Sequence, residues 1–122
     1  MAKKILIADD NTFIRTLVKA ALKPLGCEMI EAVDGEEAVR AAEEHDPDLI
    51  LLDVVMPKMN GFEALEAIRA QRPASHLPIV MLTTAATEAD VRRGRDAGAN
   101  DHIVKPFEKT ALRDTVAGLL KM

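Results

Sequence analysis

Residues 49–61 read Leu-Ile-Leu-Leu-Asp-Val-Val-Met-Pro-Lys-Met-Asn-Gly. An unbroken apolar run, closed by an acid and then by a loop carrying Pro and Gly, is the pattern of a strand covered on both faces. A strand with one wet face would alternate instead. The same kind of run occurs upstream at Ile5–Ala8 and downstream at Ile79–Leu82. Glu28–Ala32 alternates more, and Asp101–Val104 is only half apolar, which suits strands at the edges of a sheet. Between the runs the apolar period becomes helical. Phe13, Ile14, Leu17, Val18, Ala21, Leu22 and Leu25 hold one face, as do Ala111, Leu112, Thr115, Val116, Leu119 and Leu120. Asp34 with Glu37, Asn60 with Glu63 and Thr87 with Asp90 mark helix starts, and Gly26 and Gly98 mark stops. Strands and helices in strict alternation predict an α/β fold: a five-stranded parallel sheet with right-handed crossovers and helices on both faces.

The 122 residues have the length of one domain, taken as 1–122 with no output domain. Apolar residues at 48% and charged residues at 30% are the balance of a globular chain. No apolar run approaches a membrane span, and a first strand starting near Lys4 leaves no room for a signal peptide. The single Cys27 offers no internal disulfide, so a cytoplasmic setting is expected. A net charge of −4 argues against nucleic acid as a direct ligand. With no Trp or Tyr, stacking on bases or a flavin has little to work with. The segment Thr87–Ala97 has so thin an apolar stripe, mainly Val91 and Ala97, that it reads as either a solvated helix or a movable signalling surface.

In an open parallel sheet, ligands bind outside the carboxyl ends of the strands. Here those ends carry Asp9-Asp10, Asp53, Thr83-Thr84 and Lys105-Pro106; the second strand ends in nothing reactive. Singly, each has a plainer reading: a helix cap for Asp9 or Asp10, a turn residue for Asp53, a strand-end residue for Thr83, a solvated lysine for Lys105. Jointly they put complementary chemistry on one rim. Three carboxylates repel unless positive charge sits among them. Lys105 supplies part of it, and a hard divalent cation is the natural complement to the rest; Mg²⁺ typically takes one or two carboxylates plus waters and phosphate oxygens. Such a set suits phosphoryl transfer, with a carboxylate able to act as the nucleophile.

These residues resemble the response-regulator receiver family. The match rests on Asp9-Asp10 as its acidic pair, Asp53-Val54-Val55-Met56-Pro57 with Met59-Asn60-Gly61 as its phosphorylation loop, Thr83 as its switch hydroxyl, Lys105-Pro106-Phe107, and Gly98-Ala99-Asn100-Asp101. It spans the chain in order and is closest to single-domain, chemotaxis-regulator-like members. The resemblance implies a flavodoxin-like doubly wound sheet of order 2-1-3-4-5. It implies that Asp53 accepts phosphoryl from a histidine kinase or phosphotransfer domain. Asp10, Asp53 and the Val55 backbone carbonyl would bind Mg²⁺ directly, with Asp9 acting through water. Lys105 would pair with the phosphoryl oxygens, Thr83 would move to bond one of them, and Pro106 would follow a cis bond. The helix at Thr87–Ala97, the strand at Asp101–Val104 and the last helix would signal to a target protein, with the chain a monomer or weak dimer. It would be a signalling module, catalysing only its own phosphorylation and dephosphorylation, or alternatively a phosphorelay intermediate.

His102 stands where the family usually carries Tyr or Phe, which puts the coupling step in question. Val55 and Ala85, two residues beyond Asp53 and Thr83, cannot orient a hydrolytic water, so slow self-dephosphorylation is expected. A haloacid-dehalogenase-type phosphatase would need an acid where Val55 stands. A flavodoxin-like electron carrier would not place Asp9-Asp10-Asn11 against a phosphate. A phosphate-inert docking module would have no need of Asp53, Thr83 and Lys105 together.

Overall fold

The computed structural model describes residues 2–73, 76–84 and 87–122. Five strands, β1 (Lys4–Ala8), β2 (Glu28–Ala32), β3 (Leu49–Asp53), β4 (Ile79–Thr83) and β5 (Asp101–Val104), alternate with five helices. These are α1 (Thr12–Leu22), α2 (Gly35–His45), α3 (Gly61–Arg69), α4 (Glu88–Asp96) and α5 (Lys109–Leu119). All strand pairs are parallel, in the order β2-β1-β3-β4-β5. This is the doubly wound sheet the sequence predicts.

Strand alternation divides the interior in two. Leu6, Ile50, Leu52, Ile79 and Met81 pack with Ala38 of α2 and Phe62 and Leu65 of α3. Ile5, Leu49, Leu51, Val80 and Leu82 pack with Val18 and Leu22 of α1 and Leu112 and Val116 of α5. Every residue of β3 and β4 is buried, whereas β2 and β5 are only partly so, as strands at the edges must be.

The caps follow the sequence signals at three helices. Asp34 accepts from Glu37 N–H at 2.8 Å and Thr87 from Asp90 N–H at 3.1 Å, and Asn60 and Glu63 form a reciprocal capping box. At α1 the cap is Asn11, which accepts from Ile14 N–H at 3.1 Å, so neither Asp9 nor Asp10 is spent on capping. α1 also stops earlier than its apolar period. Pro24 lacks an N–H, and the chain tightens into a 3-10 turn, Lys23–Leu25, before Gly26 at φ +70°.

α4 buries only Gly94 along its length, but its outward look is deceptive. The Arg93 guanidinium lies over the Phe62 ring at 4.3 Å, covering an apolar face with a cation. Arg69 fastens the far end of α4: Nε donates to Gly98 O (2.8 Å), Nη1 to Leu77 O (2.7 Å) and Nη2 to Asn100 Oδ1 (2.9 Å). Among the described residues, no helix is long and apolar enough to cross a membrane.

Candidate functional site

Parallel pairing puts the carboxyl ends of β1, β3, β4 and β5 on one rim, and there residues at or just past the ends of β1, β3 and β5 meet. Lys105 Nζ lies 2.6 Å from Asp9 Oδ2 and 3.1 Å from Asp53 Oδ1. One carboxylate oxygen from each of Asp9, Asp10 and Asp53 falls within 4.8 Å of the others. Asp9 is fully buried and Asp53 is 6% exposed, while Asp10 is exposed. The lysine side chain is only 9% exposed, so the reading of Lys105 as a solvated edge residue fails. It is the counter-ion the buried carboxylates require.

The electrostatics follow from that packing. Burial and the neighbouring Asp9 charge push the Asp53 pKa above its ordinary value, against the opposing pull of Lys105 and the Val55 N–H. Burial alone would lower the Lys105 pKa, but its bonds to Asp9 and Asp53 outweigh that and hold it above the ordinary lysine value. Asp53 is therefore an anion short of positive charge.

The loop after β3 is held by close backbone contact. Val54 N–H donates to Leu82 O at 3.0 Å, and Gly61 N–H donates to Val54 O at 2.8 Å. A Cβ on Gly61 would stand 2.1 Å from Asp53 O, and one on Gly35 would stand 2.0 Å from Met59 O. Only glycine fits at either place. Lys58, at φ +68°, turns the chain within this loop. Met56 is buried beneath the loop, and Val55 is 73% exposed above it, at the rim of the cleft formed by Asp10, Asp53, Thr84 and Lys105.

Thr83 occupies the same strand end but the other face. It borders a pocket of ≈ 100 Å³ with Val54, Phe62, Val91 and His102 beneath α4, whereas Thr84 borders the acidic cleft. His102 is half-buried, opposite Met81 in the β4–β5 register, with Nδ1 4.0 Å from Asp101 Oδ1. The Lys105–Pro106 bond is cis. Ala85 lies outside the described residues.

Two contributors escape the apolar-run reading. Arg15 of α1, 9% exposed, donates Nη1 to Asp9 O at 2.7 Å and Nη2 to Thr12 Oγ1 at 3.2 Å. Its Nε donates to Glu31 of β2 at 2.9 Å, and Glu31 also holds Lys19 at 3.1 Å. The second strand thus does supply a polar group, one residue before its end and one side chain removed from the cleft. Burial alone would raise the Glu31 pKa, but its contacts with Lys19 and Arg15 outweigh that and hold it below the ordinary value.

The family model described as the response regulator receiver domain matches residues 5–117. The chain is 37% identical over 120 residues to the chemotaxis protein CheY of Halobacterium salinarum, covering 98% of each. It is 41% identical over 121 residues to the alkaline phosphatase synthesis transcriptional regulatory protein PhoP of Bacillus subtilis, covering 99% of this chain and 50% of that protein. The chain spans about half the length of the first curated relatives it matches. Among solved structures it is similar to the receiver domain of the sensor histidine kinase PA1611 from Pseudomonas aeruginosa, which has a magnesium ion coordinated in its active-site cleft. That likeness has a TM-score of 0.89 at 34% identity over the whole of both chains.

Proposed function

The chain belongs to the response-regulator receiver family, and from that membership we propose that it is a phosphorylation-driven switch of a two-component system, with Asp53 as the phosphoacceptor. The phosphoryl group comes from a phosphohistidine on a kinase or phosphotransfer domain. An Asp53 carboxylate oxygen attacks phosphorus, the P–N bond breaks, and its electron pair stays on the imidazole nitrogen. The observation that carries this reading is Lys105 Nζ bonding Asp53 and Asp9 at once beside an exposed Asp10. It leaves a nucleophile, an ammonium for the transferred oxygens, and negative charge still to be neutralised.

The residues fit Mg²⁺: oxygen donors only, with one exposed carboxylate leaving room for the waters that ion keeps. Asp10, Asp53 and the Val55 carbonyl would hold it directly. Asp9, whose oxygens already accept from Lys105 and Asn11 N–H, would act through water. When bound, the ion supplies positive charge against the phosphoryl oxygens. Lys105 orients the transferred group, Thr83 turns its hydroxyl from the α4 side towards it, and the α4–β5–α5 surface passes the change to a target protein. His102, on that surface, lines the pocket that Thr83 borders. The chain works in the cytoplasm as a monomer or weak dimer, and its own phosphorylation and dephosphorylation are the only reactions it catalyses. The likeness to a receiver within a sensor kinase favours a second reading, a relay intermediate that passes phosphoryl onward.

The test uses Mg²⁺ and a small phosphodonor. Asp53 should gain an acid-stable, base-labile phosphoryl group and Asp53→Asn none. Label kept by the Asn variant, or found on Ser or Thr, would refute the assignment.

A further inference from the structure

We propose that Arg15 is a positioning residue for the cation site, holding the Asp10 carboxylate in place through the backbone on either side of it. This rests on the proposed reading of the acidic cleft. Asp10 is exposed, and its side chain has no hydrogen bond or ion pair with a protein group among the described residues. The place and direction of its Cα–Cβ bond are therefore what the protein controls, and these are set by its backbone. Two peptide units flank it, and each is held from Asp9 or Arg15. The carbonyl of the Asp9–Asp10 peptide accepts from Arg15 Nη1 at 2.7 Å. The N–H of the Asp10–Asn11 peptide donates to Asp9 Oδ1 at 2.9 Å. Arg15 closes the turn a second time with its own N–H, which donates to Asn11 O at 3.1 Å.

The guanidinium is itself held. Glu31 takes Nε from the edge strand and Thr12 takes Nη2 from the helix start, so the one donor aimed at Asp9 O has no freedom to leave. A planar fork can serve three acceptors in fixed directions; a lysine cannot. Glu31, an anion beside Arg15, also offsets a positive charge that would otherwise stand close to a cation site.

The two possible roles of Arg15 differ in sign. If it acted only as a charge, deleting it would tighten Mg²⁺ binding, because a cation near a cation repels. If it positions Asp10, deleting it should weaken binding, and partners behind metal ligands typically contribute about 10–100-fold in affinity.

The experiment titrates Mg²⁺ alone into the full chain by calorimetry, below the melting transition, with ¹H–¹⁵N spectra following the Asp10 and Asn11 amides. Arg15→Ala is expected to bind about tenfold more weakly. Arg15→Lys, which keeps the charge but not the fork, should also bind more weakly. Glu31→Gln, which keeps an acceptor for Nε, should stay near wild type. Affinity in a folded Arg15→Ala equal to or above that of wild type overturns the proposal. If that variant does not fold, Arg15→Lys decides by the same criterion. Asp10→Asn separates the two levels of inference. Wild type binding Mg²⁺ no better than Asp10→Asn removes the cation site and the proposal together. Binding that needs Asp10 but ignores Arg15 removes the positioning role alone.

Discussion

Gly61→Ala sets two principles against each other at the first residue of α3. Helix propensity favours alanine over glycine by about 1 kcal/mol, so propensity alone makes the variant more stable. The structure predicts the reverse. The new Cβ would stand 2.1 Å from Asp53 O and 2.8 Å from Val54 Cα, both backbone atoms that cannot rotate away. Relief to ordinary contact needs a shift of more than ~1 Å between α3 and the end of β3, and such overpacking costs about 1–3 kcal/mol. Because the carbonyl in the way belongs to Asp53, the shift passes to the proposed phosphoacceptor, where ~1 Å of misplacement can lower a rate about 10²-fold. Gly118→Ala in α5 is the control: nothing lies within 4 Å of its Cβ, so propensity acts unopposed and should stabilise by roughly 0.5–1 kcal/mol. Urea unfolding gives the stabilities, and the rate of labelling by a small phosphodonor gives the site effect. A Gly61→Ala chain as stable and as quickly labelled as wild type would refute the steric argument.

Asp53→Asn should be no less stable than wild type without metal at neutral pH. The raised Asp53 pKa means the fold holds that proton more tightly than the unfolded chain does. The charge therefore costs nothing below the unfolded pKa, and its cost appears as pH rises through the folded one. The stability gap should vanish in acid, and Mg²⁺ at ~100 times its Kd should reverse it by stabilising wild type by about 2.7 kcal/mol; a gap constant with pH would contradict this. Lys105, with its raised pKa, contributes stability below its unfolded pKa that is lost as pH rises through the folded value, so Lys105→Met should flatten the alkaline limb of the pH–stability curve. Val55→Asn combined with Ala85→Gln should shorten the life of phosphorylated Asp53, by less than the ~10²–10⁴-fold of full proton transfer; unchanged decay would place the control of lifetime elsewhere. Hydrogen exchange after adding a phosphoryl mimic with Mg²⁺ should change in α4, β5 and α5, and His102→Tyr should alter partner affinity if His102 shares in the switch.

Much of this arrangement was legible because strand burial leaves a strong mark. Leu49–Leu52 and Ile79–Leu82 can only be interior, and once they are parallel their acidic and basic ends must share a rim. What stayed hidden depends on partners from elsewhere in the chain. Arg15 looks like an ordinary polar helix residue, and its burial becomes intelligible only when Glu31 arrives from β2, 16 residues on. Asp9 and Asp10 were both plausible caps until Asn11 took that place. Thr83 and Thr84 are identical in type, yet one borders the pocket under α4 and the other the acidic cleft. The polarity of α4 concealed Arg93 stacked on Phe62, a contact with no periodic signature.

The bond from Lys105 to Asp9 joins residues 96 positions apart. Closing so long a loop is entropically unfavourable until the intervening strands have paired, and parallel pairing is itself slow. No fragment of the chain that lacks β1 or β5 can hold this contact, and any opening that frees either strand dissolves it. In the proposed function, competence to signal is thus tied to completion of the whole sheet: a half-made or partly unravelled molecule presents Asp53 without its lysine, and would stay silent.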